Sequence, residues 1–573
     1  MTDTQLVPQR LQDIKPDREL PPLPKRWTSL ATAFLDSVRK HPEKIALVDS
    51  TGEKVTYKET FRRAVAASRV LSRNLGPSQY VGVLLPPMNG TAVVNIALVL
   101  LGKVPVNLNY TGTSDSVNSP IRQCGITDVI TSQKVLSKTG IEPQANILLA
   151  DGLRKEVTGF DKGMTFAITA LMPNALLGSF LPGLNSGLDD LATIIFTTGS
   201  EGDPKGVELT HSNILHNLHQ VDNHASMQED DVVLGILPFF HSLGFTVTLW
   251  TVLALGKTVV FHLSPLEPKV IGKLMEDHKV TIMACTPTLM RSFLARCTKE
   301  QFANIRWLLL GSEKLKPELD RDIRAGLDKE PVEGYGCTEL SPVVAANVPG
   351  MVKTPDGREV YGNKPGTVGQ PVPGTMVAII DPATWNVPGV EPKVLPRGQE
   401  GLILVKGPQV MRGYHKRPDL TEKVLRDGWY CTGDIGVYDA DGFITITDRL
   451  SQFAKVAGEM VPLIKVAAAI KDITGGNELS LAVTAIPDLK RGERVIVVYV
   501  DLNGRTVQEV VDKLGDYQVP LPEGVEDNGE DRRLPKLWLP GTRDFVQIAE
   551  LPVAGTGKLN LSKLKAYAKE NAK

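Results

Sequence analysis

Hydroxyls, glycines and one lysine are concentrated in Thr197-Thr198-Gly199-Ser200-Glu201-Gly202-Asp203-Pro204-Lys205-Gly206. Glycines let backbone N–H groups approach phosphate oxygens, while hydroxyls and an ammonium add donors and charge. The loop is therefore a candidate phosphate cradle, with Thr197, Thr198, Gly199, Ser200, Glu201, Gly202 and Lys205 as nucleotide ligands. It is not a Walker A loop, which needs Gly before the Lys and Ser/Thr after it. Pro204 precedes Lys205 here, and Gly206 follows.

Other segments add complementary chemistry. In Glu333-Gly334-Tyr335-Gly336-Cys337-Thr338-Glu339 an aromatic ring stands between glycines and can lie flat on a base. The hydroxyl and carboxylate beside it can hold phosphate and Mg²⁺. Gly428-Trp429-Tyr430-Cys431-Thr432-Gly433-Asp434 ends in a carboxylate suited to two vicinal hydroxyls. Leu237-Pro238-Phe239-Phe240-His241-Ser242 sets one imidazole among apolar residues. Pro552-Val553-Ala554-Gly555-Thr556-Gly557-Lys558 presents a lysine on a glycine-bearing loop.

The elements that position these groups follow from periodicity. The β-branched run Leu191–Phe196 leading into the cradle is expected as a buried strand. Helical patterns at 29–39 and 59–75 alternate with strand patterns at 45–48 and 80–85. The alternation continues past Leu308 and predicts α/β layers with largely parallel sheets. Apolar 92–101 is too short to span a bilayer and is expected to pack as a core helix. After about Gly366 the strands become short and glycine-punctuated, predicting a β-rich subdomain over 366–447, in the manner of a distorted barrel. A boundary is expected near Asp448-Arg449-Leu450-Ser451. The expected domains are thus 1–448 and a small α+β domain, 449–573, with strands at 481–486 and 495–500, a helix at 561–569 and an exposed acidic loop at 520–535.

Bulk properties narrow the class. A chain of 573 residues with 42% hydrophobic content reads as a multidomain globular protein. Lys+Arg 64 against Asp+Glu 65 leaves no global basic field to recruit nucleic acid or anionic membrane. The 5 cysteines lack C-x-x-C spacing and are expected as reduced thiols in a cytoplasmic protein. The polar, proline-bearing start has no apolar signal-peptide core. No transmembrane segment is expected, and peripheral membrane contact stays open.

In their fixed order these segments resemble the motif series of the acyl-adenylate-forming, or AMP-binding, superfamily, from about Trp27 to Lys565. The resemblance implies a mobile C-terminal domain and a two-step reaction. A carboxylate attacks the α-phosphorus of ATP, giving acyl-AMP and pyrophosphate, and a thiol then takes the acyl group. It implies that Tyr335 stacks on adenine, Thr338 contacts the α-phosphate and Glu339 binds Mg²⁺. Gly311, Ser312 and Glu313 would sit at the adenine edge, with Glu333, Gly334 and Gly336 in the nucleotide segment. Asp434 would hold the ribose, Arg449 the ribose or phosphate, and His241 would line the carboxylate end of the acyl pocket. Lys558 would be the catalytic lysine and Lys455 a second-step residue. Two positions depart from the family pattern: Ser451 stands at the usual hinge position, and Ile464 where a Glu is frequent.

The combinations around Thr197, Leu237, Gly311 and Phe453 are most similar to one branch, the acyl-carrier-protein synthetase portion of bacterial lysophospholipid acyltransferase/acyl-carrier-protein synthetases. The resemblance implies a stand-alone fatty acid ligase using ATP and Mg²⁺. Either CoA or the phosphopantetheine of an acyl-carrier protein would be the acceptor. Gly235–Trp250 holds no carboxylate, which favours an apolar acyl chain over an amino-acid-like substrate. A ligase for another carboxylate and a non-catalytic acyl or nucleotide binder are the alternatives.

Overall fold

The computed structural model describes residues 10–197, 204–387, 389–457, 459–477, 479–488, 490–520, 532–552, 559 and 561–572. Thr198, Gly199, Ser200, Glu201, Gly202, Lys558 and residues 521–531 of the acidic loop at 520–535 lie outside the described residues. The described chain forms two compact units. The larger comprises 10–197, 204–432 and 436–446; the smaller comprises 433–435 and the chain from 447 onward.

The larger unit is organised by a nine-stranded sheet. Six neighbouring strands run parallel: Pro331–Gly336, Trp307–Leu310, Ile282–Cys285, Val232–Gly235, Thr258–Phe261 and Ile45–Asp49. Their sequences are near-continuous apolar runs because parallel strands are covered on both faces. Leu234, Val260, Met283 and Leu308 pack in one core, with Ile271, Phe293 and Ile323 from covering helices. Val233, Val259 and Leu47 point into another. A second, four-stranded sheet is wholly parallel, in the order Val104–Asn107, Tyr80–Val83, Asp128–Thr131, Asn146–Leu149. The strand at 80–83 ends short of the expected 85.

Helix Asn89–Leu100 takes in the apolar run up to its C-cap Leu101 and buries nearly every side chain, so it is a core helix. No helix among the described residues is long and apolar enough to cross a membrane. The helix expected from 29–39 runs Leu30–Lys40, started by a reciprocal Ser29–Thr32 capping box.

Strand Leu191–Thr197 does not lead into a helix. It pairs antiparallel with Lys205–Thr210, with Thr197 opposite Lys205. The described ends of the candidate phosphate cradle, Thr197 and Lys205, therefore lie on paired antiparallel strands, and the alternation of buried Val207 and Leu209 with Glu208 marks the second strand. Gly413–Tyr414 adds a third strand against Glu208 and Val207.

The β-rich region differs in detail from the expected 366–447 unit. Gln370–Pro371 is the edge of the nine-stranded sheet, and Gly413–Tyr414 joins the hairpin. The remaining strands, Met376–Ile380, Glu400–Lys406, Leu425–Arg426, Trp429–Tyr438 and Ile444–Arg449, form a five-stranded sheet.

In the smaller unit, antiparallel strands Leu481–Asp488 and Gly492–Tyr499 lie beside hairpin Phe453–Val456/Glu459–Pro462 and strand Phe545–Gln547. Successive side chains alternate faces. Val483, Val495 and Val497 pack with Val466, Ile470, Val510 and Leu514. Ala482, Ile496 and Val498 pack with Leu564 and Ala568 of helix Leu561–Asn571.

Two buried histidines link stability to pH. His211 accepts from the Leu30 amide at 3.2 Å, and burial lowers its pKa to about 4 from 6.5. His224 lies between Arg18 at 2.7 Å and the Ala346 carbonyl at 2.8 Å; burial, then Arg18, lowers its pKa to about 3. The unfolded chain binds these protons first. The stabilisation is therefore complete above pH 6.5 and lost as pH falls toward 4, at roughly 1.4 kcal/mol per unit for each ring. Denaturant midpoints of the larger unit should fall over that window, and less steeply in His211→Gln. Equal slopes would clear His211 of the effect.

Candidate active site

Three expected site segments emerge at the carboxyl edge of the same sheet. Leu237 to His241 follow strand Val232–Gly235, Gly311 to Glu313 follow Trp307–Leu310, and Tyr335 to Glu339 end or follow Pro331–Gly336. Open α/β sheets bind ligands in the crevice outside the carboxyl ends of their strands.

Side chains join the segments. Ser242 Oγ lies 3.2 Å from Thr338 Oγ1, tying the aromatic–histidine segment to the nucleotide segment. The Glu333 carboxylate accepts from the Leu315 amide at 3.0 Å, and burial raises its pKa. It braces the loop bearing Gly311, Ser312 and Glu313. Glu313 accepts from the Thr288 hydroxyl at 2.7 Å, and Gly311 donates its amide to the Cys285 carbonyl at 3.1 Å. Ser312 adopts φ +67°, which kinks this loop. Tyr335 is half-buried between Gly334 and Gly336, opposite Ala345.

The hairpin brings the charge. Glu339 is buried, and its Oε1 accepts from the Tyr414 hydroxyl at 2.8 Å. Lys205 Nζ sits 5.4 Å from the centre of the Tyr414 ring. Thus Lys205, Tyr414 and Glu339 form one cluster, with the ammonium over the Tyr414 ring and the carboxylate at its hydroxyl. Burial, then Glu339, raises the Tyr414 pKa and keeps the phenol neutral as a donor.

His241 keeps an exposed edge while its ring lies 4.5 Å from that of Phe240. Desolvation lowers its pKa, so the imidazole is neutral near pH 7. In the smaller unit, Asp434 is buried and its Oδ1 pairs with Arg449 Nε at 2.9 Å, while Arg449 stays largely exposed. Lys455 lies on strand Phe453–Val456, opposite Met460. Ile464 is exposed on helix Leu463–Thr474.

Comparison with known proteins agrees with this layout. The profile of the family described as AMP-binding enzyme matches residues 34–415. A long-chain-fatty-acid–CoA ligase of Bacillus subtilis (strain 168) is 30% identical over 537 residues, covering 87% of this chain and 91% of the relative. This chain belongs to the AMP-binding enzyme family. A 4-coumarate-CoA ligase 1 of Narcissus pseudonarcissus is 28% identical, covering 82% of this chain and 84% of the relative. Among solved structures, ATP-bound MatB from Rhodopseudomonas palustris superposes with a TM-score of 0.69 at 25% identity, over 95% of this chain and 99% of that one. The activity class of the AMP-binding enzyme is that of an AMP-forming acid–thiol ligase.

Tyr414, Ser242 and buried Tyr430 were not singled out as site residues by the sequence. Tyr414 lies on a two-residue strand whose place beside Lys205 depends on sheet pairing across a long sequence separation. Burial, then Cys337 and Glu339, raises the Tyr430 pKa well above its ordinary value. The only local hint at Tyr414 was an aromatic set between Gly413 and His415.

The AMP-binding enzyme also needs a close backbone approach beside His241. Leu243–Thr251 is a π-helix, a form frequent at functional sites. A Cβ at Gly244 would lie 2.2 Å from the Pro238 carbonyl oxygen and 2.7 Å from that of Leu237. Gly244→Ala must therefore displace the backbone carrying His241, at a cost of about 3 kcal/mol. A lowered denaturant midpoint for the larger unit, with weakened acyl-substrate binding, is the expected result. A wild-type midpoint would refute this packing argument.

Proposed function

We propose that this AMP-binding enzyme activates a medium- or long-chain fatty acid as acyl-AMP and transfers the acyl group to CoA. The observation carrying this reading is the Lys205–Tyr414–Glu339 cluster beside Ser242–Thr338. It sets cation, hydroxyl and carboxylate together at the carboxyl edge of the sheet, as phosphate chemistry requires. CoA as the acceptor is supported by the B. subtilis and Narcissus relatives, both of which are named as CoA ligases. An acyl-carrier protein is the competing acceptor.

Adenylation would place the β- and γ-phosphates against the hairpin loop and Lys205. Tyr335 would stack on adenine and Thr338 would donate to the α-phosphate, held in position by Ser242. Neutral His241 would sit at the carboxylate end of the acyl pocket without repelling or neutralising the incoming anion. Lys558 would offset the negative charge that builds as the carboxylate oxygen attacks phosphorus. Asp434 would accept from the ribose hydroxyls, with Arg449 holding its orientation. Thiol transfer then breaks the acyl–phosphate bond and releases AMP, with Lys455 as a candidate for this second step.

The residues present fit Mg²⁺. That ion is usually bound by one or two carboxylates together with nucleotide phosphates. Glu339 supplies one such carboxylate, and no group of three or more His, Cys, Asp or Glu side chains suited to a metal occurs among the described residues. Bound there, Mg²⁺ would neutralise phosphate charge and favour departure of pyrophosphate.

The test is ATP–pyrophosphate exchange with fatty acids of graded length and no thiol, followed by thioester formation with CoA or acyl-carrier protein. Exchange with medium or long acids and transfer to CoA is expected. No exchange with any carboxylate, from a folded protein that binds ATP, would reverse the reading in favour of a binder. Transfer to acyl-carrier protein alone would overturn the acceptor.

A further inference from the structure

One surface helix is packed inside out. Gly159–Phe166 runs directly into Ala167–Leu171, with Phe166 and Ala167 both keeping right-handed helical dihedrals. The side turned into the protein carries Asp161, Thr165 and Ile168. The side turned to water carries Phe160, 70% exposed, Phe166, 54%, and Leu171, 70%. Helix Asn174–Phe180 continues the surface with Leu176 at 52% and Phe180 at 44%. A surface helix of a water-soluble domain normally has the opposite polarity.

Ion pairs enforce this orientation. The fully buried Asp161 carboxylate accepts from Arg73 at 2.8 and 3.0 Å and from Arg69 at 3.1 Å, both on helix Tyr57–Asn74. Turning the helix over would break these bonds. The same pairs set the charge of the rim. From Thr158 to Leu188 the sequence has only two charged residues, Asp161 and Lys162. Asp161 is buried, whereas Lys162 is exposed, Arg73 is partly exposed, and the Arg69 guanidinium lies 5.4 Å from the centre of the Phe160 ring.

We propose that segment 159–180 is a membrane-surface anchor, docking the enzyme on a bilayer that carries anionic lipid. Three phenylalanines and two leucines supply interfacial apolar contact, and the cationic rim matches anionic headgroups. A symmetric contact between two copies would instead set Lys162, Arg69 and Arg73 against their own counterparts, with exposed Glu156, bonded to Asn74 at 2.9 Å, as one carboxylate against three cations. Docking would place the enzyme where long-chain acids partition; that consequence, unlike docking itself, rests on the fatty-acid reading above.

Co-sedimentation of the full chain with vesicles of phosphatidylcholine, with and without phosphatidylglycerol, tests the anchor. Binding is expected to be stronger with phosphatidylglycerol and weakened by salt. The triple variant Phe160→Ser, Phe166→Ser, Leu171→Ser should lose at least about tenfold in partitioning. Its pyrophosphate exchange with water-soluble octanoate should equal that of wild type, showing an intact fold. Wild-type protein that stays in the supernatant, or a variant that sediments equally well, would overturn the anchor. A wild-type dimer without vesicles, converted to monomer by the triple substitution, would overturn it in favour of a second copy. Vesicle binding without exchange on any acid would support the anchor and sink the fatty-acid reading.

Discussion

Glu339→Gln will lower fatty-acid-dependent pyrophosphate exchange by about 10²- to 10³-fold, equivalent to roughly 3–4 kcal/mol of barrier. The substitution keeps the shape of the side chain and an oxygen for the Tyr414 hydroxyl, which now donates to Glu339 Oε1 at 2.8 Å. The backbone is untouched, including the bond from the Met411 amide to the Glu339 carbonyl at 2.8 Å. What disappears is the negative charge at the Tyr414 hydroxyl, next to Thr338 in the chain, and with it the carboxylate proposed to share Mg²⁺ with the phosphates. The fold should therefore survive while adenylation fails, and higher Mg²⁺ should recover part of the rate. Measuring exchange across a Mg²⁺ titration, with thermal unfolding as a control, decides the matter. An unchanged rate at every Mg²⁺ concentration would remove Glu339 from the reaction.

Lys558→Ala should have an effect of similar size, confined to the first half-reaction. The loop 552–558 carries two glycines around Thr556, and its lysine is proposed to offset charge as the carboxylate attacks the α-phosphorus. Loss of one such stabilising group in a water-excluded site costs about 10²- to 10³-fold. Thiol transfer from supplied acyl-AMP forms no bond to phosphorus, so thioester formation from synthetic acyl-AMP should continue near the wild-type rate. A matching collapse in both half-reactions would point to structural damage, and full exchange activity would end the assignment of Lys558.

Much of this protein was legible because its chemistry lies in short contiguous segments. The run from Thr197 to Gly206 shows phosphate-binding residue types directly, and Glu333 to Glu339 places an aromatic, a hydroxyl and a carboxylate in one turn. Strand Trp307–Leu310 was legible because a parallel strand covered on both faces demands unbroken apolar residues, and Leu191–Thr197 because its run is apolar and β-branched. Ordered along the chain, these segments were sufficient to indicate the AMP-binding enzyme family.

The sequence by itself thus determined which residue types are available for chemistry, the alternation of helices and strands, and the family. The tertiary structure decided which of those residues meet. Tyr414 reaches Glu339 because a two-residue strand leaves the five-stranded region and pairs with the hairpin of Lys205, and no local propensity encodes such a long-range register. Glu333 braces the loop ahead of Leu315 because adjacent parallel strands bring their ends together. Helix 159–171 turns its phenylalanines outward because Arg69 and Arg73, far away in sequence, hold Asp161 inward. Local sequence fixes periodicity, whereas the direction a face points is set by the groups that other segments bring against it.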